Sequence, residues 1–118
     1  EISARPPSSE NDTVTRIRQF IEDNIQTELT REQLGRMLFM NPDYIARLFK
    51  EKQGISLNDY IRNRRISHAK TLLRETSLPL TEVCTRVGYA YNTYFFNVFK
   101  KATGLSPSKY RNKFRVHR

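Results

Sequence analysis

The sequence predicts an all-α protein made of two helix-turn-helix subdomains joined by a long linker helix, with about seven helices in total. Three observations predict this fold class. Apolar residues recur at three- and four-residue steps along most of the chain, which is the period of a helix that buries one face. Helix start signals precede these stretches, and no segment shows the alternating pattern of a strand. The third observation is that one segment of the chain occurs twice.

The repeated segment runs from Tyr44 to Ile61 and again from Tyr94 to Arg111. At a constant offset of 50 residues the copies share six identities, which are Tyr44/Tyr94, Phe49/Phe99, Lys50/Lys100, Gly54/Gly104, Ser56/Ser106 and Tyr60/Tyr110. A repeat of this length usually marks one supersecondary unit that is used twice. A short helix precedes each copy, so the unit is a short helix, a turn and a second helix.

The chain is expected to begin with a tail and one amphipathic helix. Residues 1–12 contain proline, serine and charge without apolar periodicity, which indicates a flexible linker. The first helix is predicted to start at Thr13, and its apolar stripe consists of Val14, Ile17, Phe20, Ile21 and Ile25.

Two shorter helices follow. Thr30 and Gln33 form a capping box, and the stripe of the second helix is Leu34, Met37 and Leu38. Asn41 followed by proline starts the third helix, which is predicted to end at Gly54.

The second half contributes four more helices. Ser56 caps the long linker helix, whose apolar side is Leu57, Tyr60, Ile61, Ala69, Leu72 and Leu73. A short helix over about 81–87 and a second over 92–103 follow, and Ser106 with Pro107 starts the last one. The expected organisation is a tail (1–12), a first subdomain (13–55), the linker helix (56–76), a second subdomain (77–114) and a basic tail (115–118).

The charge is unevenly distributed along the chain. The formal net charge is +9, yet residues 1–28 carry six acidic and only three basic side chains. From Lys100 onward there are seven basic residues and no acid. A field of this sign attracts polyanions, of which nucleic acid is the commonest, although a basic surface that is merely well solvated is the plainer alternative.

Several classes of protein are disfavoured by composition. One cysteine, Cys84, and two distant histidines, His68 and His117, indicate neither a disulfide nor a metal site, and we expect no cofactor. No apolar run approaches the ~20 residues of a membrane span, which favours a cytoplasmic protein. An enzyme is the weakest alternative because no nucleophile-base pair or phosphate loop is present.

Each copy of the repeat has an outward polar face on its second helix. In the first copy Tyr44, Ile45, Leu48 and Phe49 are expected inside, which leaves Asp43, Ala46, Arg47 and Lys50 outside. In the second copy Tyr94, Phe95, Val98 and Phe99 are expected inside, which leaves Thr93, Phe96, Asn97 and Lys100 outside. The inward residues are identical or apolar in both copies and the outward ones mostly differ, as expected for two helices that contact different DNA sequences.

The outward residue types suit contacts to the major groove. Arg47 offers two donors to guanine, Asn97 pairs with adenine, and Phe96 would cover thymine methyl groups unless it is buried against a neighbour. Asp43 more plausibly stabilises the positive end of its helix. The residues expected to contact phosphates are Thr30, Lys50, Arg62, Arg65, Lys100, Lys101, Lys109 and Arg111.

The segment GYAYNTYFFNVFKKATGLSPSKYR, from Gly88 to Arg111, resembles the signature of the AraC/XylS family of bacterial transcription regulators. The resemblance extends back through ISLNDYIRNRRISHAKTLL and the first repeat, over about residues 13–114. It implies two subdomains that bind an asymmetric double-stranded DNA site through adjacent major grooves. The base contacts implied by the resemblance fall on Asp43, Ala46, Arg47, Thr93, Phe96 and Asn97.

The resemblance also carries expectations about partners and one local departure. It implies RNA polymerase as a partner of the intact regulator and an effector-binding, dimerisation or receiver domain before this chain. Phe39 stands where the family commonly has a glycine in the first turn, so a differently shaped turn is expected.

The main competing hypothesis is a basic helical module that binds RNA or a protein, although RNA readers generally present aromatic platforms that are not evident in this sequence.

Overall fold

The computed structural model describes residues 9–116, and these residues form seven α-helices and no strand. The helices are α1 (Glu10–Asp23), α2 (Arg31–Leu38), α3 (Pro42–Gln53), α4 (Leu57–Glu75), α5 (Leu80–Arg86), α6 (Asn92–Thr103) and α7 (Pro107–Phe114). The all-α class is therefore confirmed. Most of the predicted tail at 1–12, and the last two residues of the tail at 115–118, lie outside the described residues.

Helix α1 begins earlier than predicted. The Ser9 hydroxyl accepts a hydrogen bond from the Asp12 amide at 3.0 Å, so the helix starts at Glu10 and not at Thr13. The prediction was wrong because it placed the start at the first apolar residue, whereas a capping side chain and acids in the first turn begin a helix without any apolar residue. The helix ends at Asp23, which leaves Ile25 beyond it.

The described chain packs as two compact units. The first comprises residues 9–24 and 29–61, and the second comprises residues 25–28 and 62–116. The division falls inside α4, whereas the sequence pattern assigned residues 56–76 to a linker of their own. A stripe of apolar residues shows that a helix is buried on one side, but it does not show which core each residue joins.

The core of the first unit follows the predicted stripes in part, since Phe20 and Leu38 are only half-buried. Its buried side chains are Val14, Ile17, Ile21, Leu29, Leu34, Ile45, Leu48, Phe49, Leu57 and Ile61. Met37 was expected among them but is 52% exposed. Helix α2 has only two turns, and it is buried at Leu34 and Gly35, which leaves Met37 on its open side.

The second unit has its own core. Its members are Ile66, Ala69, Leu73, Val83, Cys84, Val87, Phe95, Phe99 and Tyr110. Ile66 was missing from the predicted stripe of α4. Cys84 is a small core residue, as the sequence indicated: its thiol donates to the Tyr89 carbonyl oxygen at 3.4 Å, and burial raises its pKa.

The repeated residues make the same contacts in both units. The rings of Phe49 and Tyr60 meet edge to face at 5.0 Å between centroids, and those of Phe99 and Tyr110 do so at 5.3 Å. Ser56 accepts a bond from the amide three residues later, and so does its repeat partner in the second unit. These three shared pairs are therefore scaffold residues.

The turn between α2 and α3 contains a residue in an uncommon backbone conformation. Phe39 has φ 57° and ψ 46°, which is the left-handed region that glycine favours, and its side chain is 92% exposed. We expected a differently shaped turn, but Phe39 instead adopts the conformation that a glycine would take.

Candidate nucleic-acid interface

Helix α3 exposes the polar face that the sequence predicted. Asn41 accepts hydrogen bonds from the amides of Asp43 and Tyr44, which begins the helix with its first turn at the surface. The side chains of Asp43, Arg47 and Lys50 are exposed, and Ala46 is half-buried beside them. These four predicted contact residues therefore share one accessible face.

Two of these side chains have contacts within the first unit. The Asp43 carboxylate accepts from Arg31 Nη1 at 3.0 Å, and the Arg47 guanidinium lies 5.5 Å from the ring centroid of Tyr44. The ion pair is exposed at both ends, so water screens it and it contributes little to stability. A cavity of about 540 Å³ adjoins this face and extends to the start of α4, and its lining includes Glu51.

Helix α6 exposes a face that differs in part from the predicted one. Thr93, Asn97 and Lys100 are exposed as expected. Phe96 is half-buried and packs against the core of the second unit, with its ring 5.8 Å from that of Phe95. The expectation that Phe96 points outward is therefore only partly met. Burial of its apolar ring against the core is more favourable in free energy than exposure of the ring to water.

Tyr94 differs from its prediction in the opposite sense to Phe96, because it is more exposed than expected. It was expected inside, but its side chain is 61% exposed. Its ring lies 5.8 Å from that of Tyr89, which in turn stacks on Phe95 at 5.4 Å. Tyr89 therefore occupies the place next to the core, and Tyr94 is left on the surface. The helical period alone does not rank two aromatic residues that compete for one position.

Five of the predicted phosphate-contacting residues carry a charge and are exposed, namely Lys50, Arg62, Lys100, Lys101 and Lys109. Thr30 is half-buried, and its hydroxyl accepts from the Gln33 amide at 3.1 Å as the cap of α2. That bond leaves the hydroxyl hydrogen of Thr30 as a donor at the end of a helix, where anions are favoured.

Arg65, which was predicted to contact a phosphate, has a structural role in the second unit. Its Nε donates to the Ile25 carbonyl oxygen at 3.2 Å and its Nη2 to that of Thr27 at 2.7 Å, and the guanidinium lies 5.5 Å from the Tyr89 ring centroid. Burial lowers the pKa of this guanidinium, and the tyrosine partly offsets the shift. These donors are occupied within the second unit, and the phosphate contact of Arg65 stays a prediction.

The site of Arg65 also requires a glycine at position 88. Gly88 has φ 100°, and a Cβ placed there would lie 2.3 Å from the Ile25 carbonyl oxygen and 2.7 Å from Arg65 Nε. Only a residue without a side chain fits at this distance. The sequence analysis did not predict the contact of Gly88 with Arg65, because this contact joins residues far apart in the chain.

Arg111 is the second predicted phosphate contact that has another role. Its Nε donates to the Leu73 carbonyl oxygen at 3.1 Å, which ties α7 to the end of α4. Its Nη2 is buried and has no hydrogen-bond partner within residues 9–116. Burial lowers the pKa of the guanidinium, with a smaller contribution from Arg115. The side chain therefore stabilises the second unit, and its phosphate contact stays a prediction.

Residues 9–116 lack two further features, a metal-binding cluster and a membrane-spanning helix. In that range no cluster of three or more His, Cys, Asp or Glu side chains has an arrangement that would hold a metal ion. In the same range no helix has the length and apolar character needed to cross a bilayer.

Comparisons with known proteins agree with this geometry. Residues 34–113 match a family described as a helix-turn-helix domain. The uncharacterized HTH-type transcriptional regulator YijO of Escherichia coli is 36% identical over 98 residues, covering 83% of this chain and 35% of that protein. The arabinose operon regulatory protein of Escherichia coli is 35% identical over 94 residues, covering 79% of this chain and 32% of that protein.

Solved structures show the same fold. The C-terminal domain of AraT, a response regulator from Geobacillus stearothermophilus, aligns with a TM-score of 0.86 at 35% identity over 98% of this chain and 92% of that one. The C-terminal domain of the two-component response regulator yesN from Fusobacterium nucleatum aligns with a TM-score of 0.81 at 31% identity over 85% and 98%.

The chain spans only about a third of the length of YijO and of the arabinose regulator. The family match nevertheless covers more than half of this chain, and it includes both recognition helices, α3 and α6. The chain therefore belongs to the AraC-type helix-turn-helix family, the DNA-binding domains of transcription regulators.

Proposed function

We propose that this chain binds one asymmetric double-stranded DNA site, with α3 and α6 as two recognition helices that each read a different half-site. The observation that carries the proposal is the contrast within the repeat. Three of the shared pairs have the same structural place in both units, since Phe49/Phe99 are buried, Gly54/Gly104 end helices and Ser56/Ser106 cap them. Other exposed positions that match in the repeat carry different residues, for example Arg47 in α3 and Asn97 in α6. Different side chains at matched positions favour different base pairs.

The role of each exposed residue follows from its chemistry. Arg47 is assigned to a guanine and Asn97 to an adenine, because each side chain makes two hydrogen bonds to that base in the major groove. Asp43, Ala46, Thr93 and Phe96 stand beside them as further base contacts. Thr30 and the exposed cations Lys50, Arg62, Lys100, Lys101 and Lys109 are assigned to phosphates, which position the protein without reading sequence.

The intact protein is proposed to be larger and to act with other proteins. Since the chain spans about a third of YijO and of the arabinose operon regulatory protein, we propose that an effector-binding, dimerisation or receiver domain precedes it. RNA polymerase is the proposed partner of the intact regulator, and the cytoplasm is its proposed compartment. The chain itself is proposed to have no enzymatic activity.

The test begins with selection of bound fragments from a random duplex library. The selected site is expected to contain two unequal halves. Arg47→Ala is then expected to lose about 1–3 kcal/mol of discrimination at one base pair, whereas Lys50→Ala weakens all duplexes alike. Binding is measured by fluorescence anisotropy on the selected site, on single-base variants and on bulk duplex.

Lys50→Ala is the matched control because it removes a cation from the same face of α3. An equal loss on every sequence for Arg47→Ala would refute its assigned role. Equal binding of RNA and of all duplexes once salt is raised would favour the competing hypothesis of a merely basic module.

A further inference from the structure

We infer that a cleft in the second unit, between α4 and α6, binds a phosphodiester of the DNA backbone and that Tyr94 is one of its contacts. This inference rests on the proposed function, and it adds Tyr94, which the helical pattern had assigned to the interior, to the predicted phosphate contacts Arg62 and Lys101.

The cleft has a defined lining. Its volume is about 700 Å³, and it is bounded by Arg62 and Asn63 of α4 and by Tyr94, Asn97, Val98, Lys101 and Ala102 of α6. Tyr94, Asn97 and Lys101 stand three and seven residues apart, so they follow one face of the helix. A volume of this size accommodates a nucleotide-sized group.

The charge of the lining indicates an anion. Arg62 and Lys101 lie on opposite walls, and none of the lining residues is acidic. The cavity beside α3 in the first unit differs in this respect, since Asp43 and Glu51 line it together with its cations. An acid-free lining of cations, amides and a phenol matches a phosphate group, which has only acceptor oxygens.

Tyr94 is positioned to add a neutral donor to this set. Its ring is 61% exposed, and it rests against Tyr89 at 5.8 Å between centroids. Tyr89 is itself held by Phe95 and by Arg65, so the ring of Tyr94 has an ordered neighbour on one side. A phenol hydroxyl that lines the same cleft as two cations can donate a charge-assisted hydrogen bond to a phosphate oxygen.

The experiment compares Tyr94→Phe, which removes only the hydroxyl, with wild type and with Tyr91→Phe. Tyr91 is the matched control because it is also exposed, at 76%, but does not line the cleft. Each protein is titrated with the selected duplex and with duplexes in which single phosphates are replaced by methylphosphonates. Tyr94→Phe is expected to bind the normal duplex about tenfold more weakly, whereas Tyr91→Phe binds as wild type.

Two further readouts identify the phosphate. One methylphosphonate is expected to weaken wild type strongly, and the same replacement is expected to weaken Tyr94→Phe much less. Lys101→Ala is expected to make the negative slope of log K against log salt shallower by about 0.9. Tyr94→Phe is expected to leave this slope unchanged because tyrosine is neutral.

The outcomes separate this inference from the proposed function. If Tyr94→Phe binds like wild type, or if every methylphosphonate weakens both proteins equally, the cleft is not a phosphate site. Arg47→Ala would in that case still lose base discrimination. If wild type prefers no duplex sequence, the proposed function fails, and this inference fails with it.

Discussion

At the scale of single residues, the same type of side chain takes different roles according to the acceptors that surround it. Arg47 and Arg65 are both arginines on a helix, yet Arg47 is exposed whereas Arg65 donates to two backbone carbonyls. The sequence distinguishes them poorly, because a guanidinium suits a phosphate, a base edge and a carbonyl oxygen almost equally. The carbonyl groups of Ile25 and Thr27 become its partners only when the chain folds.

Phe39 is the residue whose replacement is expected to stabilise the protein. A phenylalanine in the left-handed region costs about 1–2 kcal/mol, and glycine removes that cost while losing about 0.5–1 kcal/mol to backbone entropy. Since the ring is 92% exposed, Phe39→Gly loses no buried contact. The free energy of unfolding in urea is therefore expected to rise by about 0.5–1 kcal/mol.

Gly54 offers the reverse substitution as a control. It has φ 73°, and a Cβ placed there would meet no atom within 4 Å. Gly54→Ala therefore isolates the backbone cost and is expected to destabilise the protein by about 1 kcal/mol. A loss of stability on Phe39→Gly would show that the ring has a stabilising contact.

At the scale of elements, the two recognition helices begin differently. Asn41 caps α3 with its side chain, whereas Tyr91 precedes α6 without any side-chain hydrogen bond to the helix. Both residues have extended backbone dihedrals that suit a capping position. The first turn of α6 therefore has amides that a capping side chain would satisfy.

Two substitutions test this difference with opposite signs. Tyr91→Asn is expected to stabilise the second unit by about 1 kcal/mol, and Asn41→Ala is expected to destabilise the first by a similar amount. Thermal unfolding followed by circular dichroism measures both changes. A destabilising Tyr91→Asn would mean that the exposed tyrosine ring contributes more than the missing cap.

At the scale of the whole molecule, the number of cations that contact phosphates determines how strongly salt weakens DNA binding. Of the seven charged residues assigned to phosphates, Arg65 and Arg111 are bonded within the second unit. The other five, namely Lys50, Arg62, Lys100, Lys101 and Lys109, have exposed side chains. The interface predicted from the folded chain is thus less charged than the one predicted from composition.

The salt dependence of DNA binding measures this number. Five phosphate contacts predict a slope of log K against log salt of about −4.5, whereas seven predict about −6.3. Binding constants for the selected duplex between 50 and 200 mM NaCl provide the slope, with Lys109→Ala as a control expected to reduce it by about 0.9. A wild-type slope near −6.3 would return Arg65 and Arg111 to the interface.

Much of the architecture was predictable because it depends on local signals. The cap and proline at α3 and α7 and the glycines that end α3 and α6 lie within a few residues of the boundaries they determine. The start of α1 was missed because Ser9 caps the helix before any apolar residue appears. The exposed faces of α3 and α6 followed from the helical period, apart from Tyr94 and Phe96.

The sequence by itself determined the all-α class, the order of the helices, the duplicated unit and its family resemblance, since capping, periodicity and repeat are properties of neighbouring residues. The tertiary structure alone decided which aromatic residue occupies the core beside α6, which arginines remain exposed, and where α4 divides between the two units. These outcomes depend on competition between residues far apart in the chain for one buried position or one carbonyl oxygen, and only the folded chain brings those competitors together.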